Sequence, residues 1–454
     1  MAKLFGTDGA RGVANTELTC DIAFKLGQAA VEFLGKTIVV GKDTRLSGDM
    51  LECALNAGIM SRGGTVLAAG IIPTPGVAFL TRELYADGGV VISASHNPPE
   101  YNGIKFFDGQ GFKLPDEVEA SLETFVEAGG TPIDQLPAGD EVGVIVSVEN
   151  ACELYINHAV SLVRDEGLSF EGVKVALDTG HGAASLTTAH ALEELGAEVV
   201  VINDDFTGTD INVECGSTHL EPLKNLMAAT HANIGIAHDG DADRVMFVDE
   251  LGNEIDGDVV EAVCAIDLKE RGELPGNTVV STVMCNLGFV KAMEAAGIEV
   301  IQTQVGDRYV LQQLREGGFV LGGEQSGHMI FLKHNSTGDG LITACQFLSA
   351  CLRKGAAVSE VASVMQRFPQ ELINVCVTDK HAVTNNEVVA KAIEEGADEL
   401  GSSGRILVRP SGTEPLVRVM VEAPTHDQAH EVAAKIADVI EAELGAQSFT
   451  HERK

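Results

Sequence analysis

The most constraining feature of this sequence is a pattern of secondary structure that recurs three times. Each occurrence reads strand, helix, strand, helix, strand, with short β-branched runs between glycine-punctuated amphipathic stretches. The first block places strands at 37–40, 65–68 and 89–92, with helical segments at 48–62 and after the Pro73-Thr74-Pro75 turn. The second places strands at 173–177, 198–202 and 233–237, with helices after Gly180-His181-Gly182 and near 221–229. The third places strands at 278–281, 299–303 and 319–321, with helices at 287–296 and 308–315. Such alternation predicts parallel sheets joined by helical crossovers. The tail departs from it, with strands at 371–378, 405–408 and 416–422 and a helix at 425–444. The expected class is therefore α/β: three topologically similar domains with mixed or parallel sheets, then a C-terminal α+β domain. Expected boundaries are 1–151, 152–256, 257–368 and 369–454.

Each block ends in a Gly- or Asp-rich loop, at 93–98, 239–244 and 322–328. In open α/β sheets, ligands gather outside the carboxyl ends of strands. Three equivalent loops are thus expected around one central cleft. Charge narrows the ligand. A net charge of −36 repels nucleic acid and anionic membranes, so neither is an expected partner. It also repels a phosphorylated metabolite unless cations are concentrated where that metabolite binds. No apolar run reaches the roughly 18 residues of a membrane span, and the start MAKLFGTDGARG lacks a signal-peptide core. Nine scattered cysteines without a Cys-x-x-Cys pair fit reduced thiols, hence a cytoplasmic address.

The loops carry distinct chemistry. Ser95 and His96 invite a hydrolase reading, yet the Gly-x-Ser-x-Gly elbow is absent. Adjacent residues of an extended chain also diverge, so His96 is expected to point away from Ser95. Asp239-Gly240-Asp241-Ala242-Asp243-Arg244 places three carboxylates close enough to repel unless a cation sits among them. Oxygen-only ligands favour a hard ion, Mg²⁺ or Ca²⁺. The competing reading is a solvated acidic turn. Three carboxylates exceed the one or two usual for Mg²⁺, which leaves the metal open.

Arg409-Pro410-Ser411-Gly412-Thr413-Glu414-Pro415 joins two strands. Its glycine, hydroxyls and the paired Arg409 and Arg418 suit a phosphate, against the plainer reading of a hairpin turn. Gly323-Glu324-Gln325-Ser326-Gly327-His328 offers Glu324, Ser326 and His328 to a polyhydroxylated ligand. Taken singly, Arg11, Lys105, Lys42 and Arg45 read as solvated surface charges. A serine beside a metal and cationic loops can also carry a phosphoryl group, which brings nearly two negative charges.

Together, the four loops, in this order and across essentially the whole chain, resemble the α-D-phosphohexomutase superfamily. The segments 4–12 and Ser336-Thr337-Gly338-Asp339-Gly340 look most like the bacterial phosphoglucosamine mutases. The resemblance implies a phosphoserine at Ser95. It implies Mg²⁺ held by Asp239, Asp241, Asp243 and a phosphoserine oxygen. Glu324, Ser326 and His328 would bind sugar, and Arg409, Ser411, Gly412, Thr413 and Arg418 would clamp phosphate. Lys105, Arg11 and His96 fall at proton-transfer or charge-stabilising positions. Ala10, Pro99 and Tyr101 depart from the usual family pattern, while Gln325 suits the glucosamine branch.

The implied reaction interconverts glucosamine 6-phosphate and glucosamine 1-phosphate, with a bisphosphorylated sugar as intermediate and primer. That reaction serves amino-sugar nucleotide and cell-wall precursor synthesis. The near alternative is a phosphoglucomutase or phosphomannomutase; more distant ones are a serine hydrolase and a sugar-phosphate sensor. The expected partner is a small hexosamine phosphate, with a homodimer as the open assembly.

Overall fold

A computed structural model of the chain describes residues 5, 9–411 and 414–445. Two units separate by internal contacts: Met1–Met284 with Ala296–Val364, and Cys285–Ala295 with Met365–Lys454.

The first unit holds three sheets with one shared plan. In the first sheet, Thr37–Lys42 runs parallel to both Thr65–Ile71 and Gly88–Ile92. Tyr101–Asp108 then pairs antiparallel with Gly88–Ile92. Lys174–Asp178, Glu198–Ile202, Ile234–His238 and Val245–Asp249 repeat that plan. So do Thr278–Thr282, Glu299–Thr303, Leu321–Gly323 and Met329–Phe331. Ala10–Val13 and Ile145–Ser147 extend the first sheet at its two edges, and Glu254–Ile255 extends the second. The three expected strands of each block are present, the last of the third block lying at Leu321–Gly323 and not at 319–321. Sequence reading passed over the fourth, antiparallel strand in every sheet. That strand changes the meaning of the loops: each one is the tip of a hairpin, held from both sides.

The strands leading into the seryl and aspartyl loops are dry. All residues of Gly88–Ile92 and of Ile234–His238 are buried. Each fully buried Val or Ile there contributes on the order of 1.5–3 kcal/mol. Helix Gly340–Lys354 is buried from Gly340 to Cys351. The Asp339 carboxylate caps it by accepting from Ile342 N at 2.9 Å, satisfying one of the orphan donors of the first turn.

The second unit is a three-stranded antiparallel sheet, Gln370–Cys376, Leu416–Glu422 and Arg405–Pro410, with Leu416–Glu422 central. Helices Glu387–Leu400 and His426–Leu444 cover it over a core containing Val417, Val419, Val421, Val432 and Ile436. Helix Leu287–Ala295 belongs to this unit too. Asn286 Nδ2 donates to Glu422 Oε1 at 3.0 Å and Lys291 Nζ to the Ser402 carbonyl at 2.8 Å. Among the described residues, no helix is long and apolar enough to cross a membrane.

Candidate active site

The seryl hairpin and the aspartyl hairpin meet tip to tip. Ser95 Oγ donates to Asp239 Oδ2 at 2.6 Å. Gly240 makes the approach feasible, since a Cβ there would lie 2.8 Å from the Ser95 carbonyl oxygen and 2.6 Å from Ile211 Cδ1. Ser95 itself holds a left-handed backbone, φ 52°, a conformation that costs a side-chain-bearing residue energy and persists only when neighbours enforce it.

Asp239, Asp241 and Asp243 are all buried, and one carboxylate oxygen from each lies within 4.8 Å of the others. Among the described residues this is the one acidic, His or Cys cluster of that kind. The convergence arises because the segment turns, with Ala242 at φ 53°. Burial, then the charges of Asp243 and Asp241, push the Asp239 carboxyl well above the usual carboxylate range. Among the described residues, no hydrogen-bond donor reaches the buried Asp243 Oδ1, and Arg244 Nε lies 3.9 Å from it. Lys105 Nζ offsets part of the charge, at 3.0 Å from Asp241 Oδ2 and 3.7 Å from Asp243 Oδ2. Three converging carboxylates beside a serine hydroxyl make an all-oxygen donor set that fits a hard divalent cation.

Several single-residue expectations change. Lys105 is 2% exposed, a buried ion-pair partner on the antiparallel strand that sequence reading missed. Arg45 is 3% exposed and is bonded to the seryl loop, so it is no surface charge. Lys42 pairs with Asp49 and Glu52. His96 does not diverge: the left-handed turn at Ser95 leaves its Nδ1 3.3 Å from Ser95 Oγ. The serine proton is already committed to Asp239, so Oγ can accept from Nδ1. Burial, then the nearby Arg244 charge, lower the His96 pKa to about 4. Arg11 faces Gly103 across the antiparallel pair, two residues from Lys105, and its charge also reaches His96.

One contributor was hidden in a helix-start signal. In the Pro73-Thr74-Pro75 turn, Thr74 Oγ1 donates to Asp241 Oδ2 at 2.7 Å, and its amide donates to the Asp241 carbonyl at 2.9 Å.

The third hairpin joins the second through the backbone. Val245 N donates to the Gly327 carbonyl at 3.1 Å, and Arg244 bridges His328. Glu324 Oε1 accepts from Gly306 N at 3.2 Å, and Ser326 is exposed. His328 is buried with Nε2 3.6 Å from Asp307 Oδ2. Gln325 turns inward, with Nε2 3.1 Å from Asp258 Oδ2. The 336–340 segment packs beneath both tips: Gly340 N donates to the Ala242 carbonyl at 3.0 Å. At Gly338, a Cβ would fall 2.3 Å from His328 Nε2, so any larger residue there would displace the His328 ring.

In the second unit, Arg409 and Arg418 sit directly opposite on neighbouring strands. Burial, then the Arg418 charge, lower the Arg409 pKa. Two like charges in that register destabilise the sheet unless an anion bridges them. Glu414 Oε2 approaches Arg418 at 3.4 Å. Ser411 is buried, and its carbonyl accepts from Lys380 Nζ at 2.6 Å; no motif in the sequence singled out Lys380. Gly412 and Thr413 lie outside the described residues.

Four family models, described as domains I, II and III and the C-terminal domain of phosphoglucomutase/phosphomannomutase, match residues 2–132, 153–252, 256–368 and 372–439. A phosphoglucosamine mutase of Carboxydothermus hydrogenoformans is 52% identical over 446 residues, 97% of this chain and 100% of that protein. One from Desulforamulus reducens is 50% identical over 445 residues, covering 97% and 99%. A solved phosphoglucomutase/phosphomannomutase family protein from Burkholderia thailandensis superposes with a TM-score of 0.81 at 26% identity, covering 96% of this chain and 97% of that one. The converging hairpin tips, the matched domain series and the near-complete overlap with these relatives agree: the chain belongs to the phosphoglucomutase/phosphomannomutase family.

Proposed function

We infer that this chain interconverts glucosamine 6-phosphate and glucosamine 1-phosphate through a phosphoserine at Ser95. Ser95 Oγ, 2.6 Å from Asp239 Oδ2, is the observation that carries the reading. A plain hydroxyl gains little from a nest of carboxylates. A phosphoseryl group, by contrast, needs a cation that those carboxylates would hold.

The phosphoryl group leaves Ser95 Oγ and bonds to the free hydroxyl of the bound sugar phosphate. The displaced hydroxyl proton passes to a neighbouring base, Ser95 Oγ takes up a proton as its bond to phosphorus breaks, and the 1,6-bisphosphate forms. After the intermediate turns over, its other phosphoryl group returns to Ser95. Magnesium held by Asp239, Asp241, Asp243 and a seryl phosphate oxygen would supply charge neutralisation at the transferring group. Lys105, anchored between Asp241 and Asp243, is suited to charge stabilisation beside the transferring group. Arg11 is assigned the same task, and His96 the proton contact at Ser95. Glu324, Ser326 and His328 bind the sugar. Arg409, Ser411, Gly412, Thr413 and Arg418 hold the phosphate that is not reacting, which would relieve the facing arginine charges. Transfer of this kind depends chiefly on alignment and electrostatics.

Glucosamine as the sugar rests on the full-length similarity to phosphoglucosamine mutases. A kcat/KM comparison of glucosamine, glucose and mannose 1-phosphates, with and without Mg²⁺ and a bisphosphate primer, tests it. Equal or higher kcat/KM with mannose or glucose would move the chain to the other branch.

Nine free thiols support the cytoplasmic address. A homodimer is the proposed assembly. Val144, Ile145 and Val146, at the edge of the first sheet in an otherwise strongly anionic chain, are 54%, 49% and 47% exposed, so a second copy could cover this neutral strip. Light scattering at micromolar concentration decides it.

A further inference from the structure

We propose that Arg45 is a positioning residue for phosphoryl transfer: its guanidinium fixes the backbone that aims Ser95, and it does so without touching substrate. The proposal rests on the mutase reading above.

A guanidinium has five N–H donors in a rigid planar fork. In Arg45 all five are used. Nε donates to Asp43 Oδ2 at 2.9 Å. Nη1 donates to the carbonyls of Pro98, at 2.5 Å, and Tyr101, at 3.0 Å. Nη2 donates to the carbonyls of Ser95, at 2.9 Å, and Asn97, at 2.8 Å. One side chain thus collects four carbonyls of a single loop. Both side chains of the Arg45–Asp43 pair are 0% exposed.

A second strand of bonds reaches the same serine from its amide side. Asp43 Oδ2 accepts from Ser93 Oγ at 2.6 Å, and Ser93 Oγ accepts from the Ser95 amide at 2.9 Å. Both the N–H and the carbonyl of Ser95 are therefore tied to the Asp43–Arg45 pair. A residue held at φ 52° relaxes toward ordinary angles if those ties are cut, and its Oγ then leaves Asp239. The aspartyl half contributes as well. Asn212 Nδ2 donates to the Ser95 carbonyl at 2.8 Å, and Leu46 N donates to the Gly208 carbonyl at 3.0 Å. The turn at 43–47 is therefore bonded both to the seryl hairpin and to the 203–212 loop of the second block.

The placement matters for the reaction because a displacement of about 1 Å at the reacting atom can cost on the order of 100-fold in rate. Sugar and phosphate contacts come from other loops, so ground-state binding is left unchanged. Lysine keeps the charge of Arg45 but, as a single ammonium, cannot span four carbonyls.

The test is Arg45→Lys in the full-length, Mg²⁺-loaded, serine-phosphorylated enzyme, with kcat and KM normalised to the folded fraction. The expected result is a kcat lower by about 10- to 100-fold and a KM within about twofold. Ser93→Ala, which cuts only the amide-side tie, is expected to show the same split with a smaller loss, and it decides the matter should Arg45→Lys fail to fold. An unchanged kcat per folded molecule, or kcat and KM moving together, overturns the proposal. A wild-type enzyme inactive on every hexose phosphate overturns the mutase reading instead.

Discussion

Ser95 Oγ and Asp239 Oδ2 are 144 residues apart in sequence and 2.6 Å apart in space. Two hairpins of the same plan, from two successive sheets, bring them together. The contact joins a group able to carry phosphate to a carboxylate forced into the company of two others.

That company has a stability consequence. Three buried carboxylates repel, so one of them can be neutralised at little cost. Asp239→Asn keeps an acceptor for Arg244 N, now 3.2 Å from Asp239 Oδ1, and can donate to Ser95 Oγ. The metal-free variant is expected to melt at or above the metal-free wild type. Saturating Mg²⁺, at about 100 times its Kd, should raise wild-type stability by about 2.7 kcal/mol and leave the variant nearly unmoved. Thermal melts in EDTA and in Mg²⁺ check both halves.

The facing arginines lead to a binding prediction. Arg418→Met removes a charge-assisted contact of about 1.5–3 kcal/mol, so KM for the sugar phosphate should rise roughly 10- to 100-fold. Stability without ligand should hold or improve, because the cross-strand repulsion with Arg409 is gone. Initial-rate kinetics with urea denaturation measure the two effects separately.

Acid should weaken the fold through imidazoles that are half-buried or buried. Burial, then the neighbouring His158 charge, lower the His334 pKa to about 4 from 6.5. Between those values the unfolded chain takes up a proton that the folded chain refuses. Stability is therefore lost as pH falls from about 6.5 toward 4. His96 and His238 behave alike. His334→Gln should flatten the pH dependence by about 1–2 kcal/mol between pH 6.5 and pH 5, read from denaturation at the two pH values.

The loops were legible because their chemistry is local. Asp239, Asp241 and Asp243 repel within five residues, and Arg409 and Arg418 flank one turn, whatever the rest of the chain does. The repeated parallel core was legible for the same reason, in its short β-branched strands. Tyr101–Asp108 was not, because only pairing with distant segments makes it strand: Ile104–Asp108 against Gly88–Ile92, and Asn102 and Gly103 against Gly12 and Arg11. Lys105 was lost with it as a buried group. Arg45 read as a surface cation because four of its five acceptors are backbone carbonyls 50 and more residues away, which leave no mark on side-chain patterns. His96 was misdirected by assuming an extended chain at a serine that turns left-handed.

The most direct test of the account asks where the phosphoryl group sits. The enzyme is incubated with a hexose 1,6-bisphosphate, freed of it, and mapped by peptide mass before and after unlabelled glucosamine 1-phosphate is added. The account predicts about 80 Da on Ser95 that disappears as bisphosphate forms, with no turnover in Ser95→Ala. A fully active enzyme with no phosphate on Ser95 at any stage, or a Ser95→Ala variant that keeps most of its activity, would contradict it.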